Sequence, residues 1–252
     1  MAKTSEKRVL RRTATEIKSY RSWMKILPAI VALLVIIVVV VYIVAVLYNK
    51  FGSFTVMVNK YDGAEFGLTL SENRQFYNRT SRLNSKASEE ITNITGSDLP
   101  QNLDTEVGGI KHHAGDNFVA YTFFLTNAGV KTYDVDYEMI IVNMTKEIEE
   151  AVRVRIYMDG VPTDYARPRT DASVSGKEKE EYFCDELFYN DRTVTQGIFR
   201  DYTPGLIKRF TVVIWLEGND PECVDSIIGG QFKVDMHFSV HSQFDDPVES
   251  EA

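Results

Sequence analysis

One N-terminal transmembrane helix followed by a mainly β ectodomain, an antiparallel β-sandwich or jelly roll, is predicted by three features of these 252 residues. Ile26 to Tyr48 is a run of 23 residues without a charge. The net charge changes sign across that run. Beyond Phe51 the apolar residues recur at every second position, the period of a strand with one buried face, and not at the helical period of about 3.6.

The apolar run comes first. As a helix, its 23 residues reach roughly 34 Å at 1.5 Å per residue, against a hydrocarbon core of about 30 Å. Met1 to Lys25 carries eight Lys or Arg against Glu6 and Glu16, a net of +6, and Lys50 alone follows the run. From Phe51 onward 19 basic residues face 34 acidic ones, a net of −15. Positive charge ahead of the span places the N-terminus in the cytoplasm and Phe51 to Ala252 outside. Trp23 and Tyr48 lie at its two ends, where amphipathic rings prefer the headgroup layer. A removable signal peptide has an apolar region of about 7–15 residues and a small-residue cleavage site. Here the run is longer, and its small-residue site, Ile43-Val44-Ala45, falls inside it. An uncleaved signal anchor is the expectation, with cleavage after Ala45 left open.

The chain then divides into a basic segment 1–25, the span 26–48, an extracytoplasmic domain 49–244 and an acidic, disordered tail 245–252. In the first segment Val9, Leu10, Thr13, Ile17, Tyr20, Trp23 and Met24 recur at helical spacing opposite a basic face. Two readings fit: an amphipathic helix on anionic lipid, or a disordered basic tail that sets topology.

Strands are expected at Phe54–Asn59, directly after the span, and at Phe66–Ser71, the two pairing across Tyr61-Asp62-Gly63. Phe118–Asn127 follows and is broken by the turn signal Asn127-Ala128-Gly129. Tyr133–Asn143 alternates, with Tyr133, Val135, Tyr137, Met139 and Ile141 on one face. Val152–Met158 alternates with Arg153, Arg155 and Tyr157 and runs into Asp159-Gly160, a hairpin signal. Phe210–Leu216 and Phe232–Val240 complete the set. Thr145–Ala151 is the one stretch that reads as helical. Ser71–Asp116 and Arg167–Glu181 are polar and without a clear period.

Candidate chemistry is sparse. Cys184 and Cys223, the chain's two cysteines, lie outside; a disulfide and two free thiols both fit. His112 and His113 fall in a polar loop. His237 and His241 share an outward strand face with Asp235, which reads as a solvated face before a metal site. No H-E-x-x-H, G-x-S-x-G or glycine-rich phosphate loop occurs, and an enzyme is disfavoured. The acidic loop Glu217–Asp225 offers Glu217, Asp220, Glu222 and Asp225 as a Ca²⁺-type site, Ca²⁺ taking six to eight oxygens; no other cofactor is suggested, and a solvated strand connection competes with it. Asn78, Asn93 and Asn143 head N-x-T triplets, an acceptor pattern without meaning in most bacteria.

Val212-Val-Ile-Trp-Leu-Glu-Gly-Asn-Asp-Pro-Glu-Cys-Val-Asp225, then Gly229-Gly230 and a terminal alternating strand, resembles the TasA/camelysin group of Gram-positive envelope and biofilm-matrix proteins. So does the strand Phe54–Asn59 directly after the apolar segment, with a Phe-rich strand ending at Asn127-Ala128-Gly129. The resemblance covers Ser53 to Val240. It implies a surface-displayed jelly roll that can assemble by lending its first strand, here the inward positions Phe54, Val56 and Val58. The group has carried a metallopeptidase label, but this chain has no zinc motif to receive it.

The expectation is therefore a bacterial single-pass membrane protein, N-in and C-out, with a non-catalytic structural, adhesive or matrix-assembly domain. Its partners would be the bilayer and, through a sheet edge, itself or another envelope protein. A net of −15 outside speaks against nucleic acid. A ligand- or partner-binding subunit of a membrane complex, and a metal-dependent hydrolase built from scattered residues, are the other two classes.

Overall fold

The computed structural model of the chain describes residues 27–28, 30–42, 54–85, 91–101, 103–106, 113–114, 117–169 and 183–241. It falls into two compact units, Met1–Lys50 and Phe51–Ala252.

In the first unit residues 27, 28 and 30–42 are helical, and the apolar side chains from Ile30 to Tyr42 are exposed. Among the described residues no helix is long and apolar enough to cross a membrane. The span expected over Ile26–Tyr48 is thus not shown as a whole, because residues 26, 29 and 43–48 are outside the described set. The basic segment 1–25 and the tail 245–252 are outside it too.

The second unit is mainly β. Its strands are β1 (Phe54–Val58), β2 (Leu68–Ser71), β3 (Arg82–Asn84), β4 (His113–Ala114), β5 (Phe118–Asn127), β6 (Tyr133–Met144), β7 (Val152–Met158), β8 (Val161–Ala166), β9 (Glu186–Leu187), β10 (Thr193–Tyr202), β11 (Ile207–Leu216) and β12 (Phe232–Val240). They form a five-stranded sheet, β10-β6-β12-β1-β3, and a seven-stranded sheet, β2-β5-β11-β7-β8-β9 with β4 also on β5. Most pairs are antiparallel; β1 with β12 and β8 with β9 are parallel.

The two sheets share one core. Val135, Met139, Val234, Met236 and Phe238 enter it from the first sheet, and Tyr121, Phe123, Leu125, Phe210 and Val212 from the second. Phe123 stacks on Phe210 with ring centroids 5.1 Å apart and meets Phe238 edge-on at 6.1 Å. Each fully buried side chain of this size contributes roughly 1.5–3 kcal/mol. The inward face read from β6, Tyr133 to Ile141, is the one observed.

Turn chemistry was equally legible. Asp159 and Gly160 both take positive φ, 52° and 93°, as a two-residue hairpin between β7 and β8 requires. At the end of β5, Asn127 accepts the Gly129 N–H through its side-chain carbonyl at 2.9 Å. A Cβ on Gly129 would sit 2.1 Å from the Phe66 carbonyl oxygen, so only glycine fits there.

One local expectation is corrected. Phe66–Ser71 does not pair with β1: residues Lys60–Glu65 form a short helix, α1, and β2 joins β5 in the other sheet. The Asn59 side chain accepts the Tyr61 N–H at 3.1 Å, starting a helix where a hairpin was expected. Thr145–Ala151, read as helical, holds one 3-10 turn, Ile148–Glu150. Within the polar stretch Ser71–Asp116, left without a clear period, Leu99 and Leu103 pack onto Phe118, Tyr157, Val213 and Trp215. That second apolar cluster lies on the outer face of the seven-stranded sheet.

Candidate functional site

The acidic loop after β11 carries four carboxylates, Glu217, Asp220, Glu222 and Asp225. Its first carboxylate, Glu217, is fully buried because Trp215 beside it packs into the second apolar cluster. One Glu217 oxygen accepts the Trp215 indole N–H at 3.0 Å and the Gly96 N–H at 2.8 Å; the other accepts the Asn219 N–H at 3.2 Å. The backbone continues the stitching: Ile94 donates to the Leu216 carbonyl and Gly218 to the Ile94 carbonyl, each at 3.0 Å.

Asp220 is buried with Arg153, whose side chain is wholly enclosed, and the two form an ion pair. The second Asp220 oxygen accepts the Glu222 N–H at 2.7 Å. Arg153 also donates to the carbonyls of Glu150 and Val152, at 3.3 and 3.2 Å. Partial burial, and then the Asp220 charge, push the Glu222 carboxyl above its ordinary range. Asp225 opens a 3-10 turn, Asp225–Ile227. Glu217, Asp220, Glu222 and Asp225 therefore do not converge: among the described residues no group of three or more His, Cys, Asp or Glu could hold a metal ion. Glu217 and Asp220, two of the four carboxylates offered to Ca²⁺, are satisfied by protein donors, and the loop fastens strands together.

Of the two readings left open for the cysteines, the structure holds the free thiols. Cys184 and Cys223 are free thiols; Cys184 donates to the Glu186 carbonyl at 3.1 Å, and Cys223 accepts from the Asn93 amide at 3.7 Å. Burial pushes the Cys223 thiol up, which lowers its reactivity.

On the outer face of the five-stranded sheet, His241 lies 2.9 Å from Asp136 and His237 lies 3.5 Å from Glu138. Asp134 accepts from Arg200 at 2.7 Å and from the Asp201 N–H at 2.8 Å, which holds its carboxyl below the usual range. This is a row of partly exposed carboxylates, each beside an Arg or a His. His112 lies outside the described residues.

One pair escaped the sequence reading although its signal was present. Arg155 holds Asp164 through two hydrogen bonds, 2.6 and 2.7 Å, with its guanidinium 5.5 Å over the Trp215 ring. A two-residue turn at Asp159-Gly160 sets Arg155 opposite Asp164, as observed.

The strand-donation candidates Phe54, Val56 and Val58 point into the common core of their own chain, 0–3 % exposed. β1 lies between β12 and β3 and so occupies a place in its own sheet. Lending it outright would empty that place; a reciprocal exchange between copies keeps the same area buried. Among the described residues the longest strand at the border of either sheet is β10, ten residues paired on one side to β6. β3 and β9, also at borders, have three and two residues.

No family model matches this sequence. No curated protein matches it either. Among solved structures the chain is similar to a β-glucosidase from Kluyveromyces marxianus in complex with glucose, at 7 % identity and a TM-score of 0.23. The match covers 75 % of this chain and 17 % of that one, and a similarity this low carries no argument.

Proposed function

We propose that this chain is a single-pass protein of the bacterial envelope, N-terminus in the cytoplasm, holding a non-catalytic β-sandwich of the jelly-roll kind outside the membrane. Its role is structural or adhesive, and it meets another copy or another envelope protein along a sheet edge. One observation carries the reading: an uncharged run of 23 residues, preceded by a net of +6 and followed by a domain of net −15. The use of buried charge supports it. Glu217, Asp220, Arg153, Arg155 and Asp164 are spent on one another and on backbone groups, as fastenings of the fold. β10 stands at the border of its sheet, paired on one side to β6, which is the position edge pairing uses.

Protease added to intact cells should remove the domain after Lys50, while N-terminal sequencing of the membrane fraction finds the chain beginning in the Met1 region. Protection of the C-terminal part until lysis overturns the proposal. A mature chain beginning at Val46 in the medium replaces the tethered module with a released one.

A further inference from the structure

We infer that the sandwich is a load-bearing module in which β1 and β12 form the clamp that resists pulling on the tether. This rests on the membrane-anchored reading and adds a mechanical task to it. In the parallel pair, Phe54 to Val58 lie beside Val234 to Phe238 in five consecutive register positions. Parallel neighbours start at the same end. The chain therefore enters β1 at one end of the ladder and leaves β12, at Val240, at the other.

Force drawn through Phe54 against a hold near Val240 runs along both strands. The slanted, evenly spaced bonds of a parallel ladder then share the load and must fail together. Strands pulled from one common end open a bond at a time. Sliding is also opposed by side chains. Phe54, Val56 and Val58 on β1 and Val234, Met236 and Phe238 on β12 are all buried in the common core, and a slip of one residue would turn each set toward the wrong face. Thr55, on the opposite face of β1, is only 1 % exposed, and Met57 on that face is partly buried.

Both ends of the clamp are pinned. At the entry, Phe54 donates to the Ser85 hydroxyl at 3.1 Å and accepts the Ser85 N–H at 2.9 Å. At the far end, Asn59 donates to the Phe238 carbonyl at 3.0 Å, and Val240 donates to the Asp62 carboxylate at 2.9 Å. Asp62 belongs to α1, which follows β1 directly, so the helix closes the ladder where the load would leave it.

Single-molecule pulling on the full chain in lipid nanodiscs tests this, with handles at the N-terminus and either beyond Val240 or at Ile228, in the loop leading into β12. At one loading rate the Val240 geometry should need at least about twofold more force, because its five pairs are loaded in parallel. Asp62→Ala should lower the force in that geometry and leave the Ile228 geometry unchanged. Equal forces in the two geometries, or an Asp62→Ala loss common to both, overturn the clamp while leaving the tether standing. Protease protection of the domain on intact cells removes the tether, whatever the forces.

Discussion

The outer faces of the two sheets have the same alternating look, but their charges are covered to different extents. On the five-stranded sheet Arg200 of β10 and its partner Asp134 of β6 have side chains 61 % and 27 % exposed, although Asp235 of β12 is buried. On β7 the outward Arg153 is 0 % exposed and Arg155 is mostly covered. The difference comes from residues far away in the chain. Leu99, Leu103 and Phe183 fold over the seven-stranded sheet, while Asp134, Asp136 and Glu138 on the five-stranded sheet keep partly exposed partners. An alternating charge marks the face turned from the common core; whether that face is wet is a separate matter.

The contrast predicts a graded series of stabilities. Asp220→Ala leaves the Arg153 guanidinium enclosed without its carboxylate and should cost about 3–5 kcal/mol in urea unfolding. A loss as small as that of a surface pair would erase the distinction between the two faces. Leu99→Ala, in the second apolar cluster, should cost about 2–4 kcal/mol by the same measurement; a change within error would mean that stretch 91–106 adds nothing to the fold.

Glu222→Gln should act in the opposite direction. Its carboxyl is raised by burial, so the folded state favours the proton and the ionised group opposes folding above the usual carboxylate range. The variant should be modestly more stable at neutral pH, with the gain vanishing as pH falls through that range. A loss at neutral pH would contradict it. Asp134→Asn should have the smallest effect. Its lowered carboxyl contributes stability above the usual range, lost as pH falls below it, and solvent and salt screen the pair. Its effect should shrink further in 1 M salt, whereas that of Asp220→Ala should persist.

Local structure was largely legible. β6, β7 and β12 alternate cleanly because each turns one side to the common core. Asp159-Gly160 supplies the two positive φ values that a tight hairpin demands. β10 was missed because irregularities between Thr193 and Thr195, and between Phe199 and Tyr202, break its pairing register, and with it the period by which a strand is read. The acidic loop looked like a cation site because its oxygens are close in sequence. What spends them, Arg153 and the Gly96 N–H, comes from positions 67 and 121 residues away. Cys184 and Cys223 were a disulfide candidate for lack of any other cysteine, and spacing carries no information on whether two thiols meet.

Residues close in sequence thus determined the strand periods, the inward faces, the Asp159-Gly160 turn and the charge reversal around the apolar run, since each follows from the chain's own geometry and composition. Only the tertiary structure decided that β1 lies parallel to β12, that one outer face is buried, and that Glu217 and Asp220 serve as fastenings. Those outcomes depend on groups brought together by folding, and a buried charge keeps the place where its partner and its share of excluded water are both found.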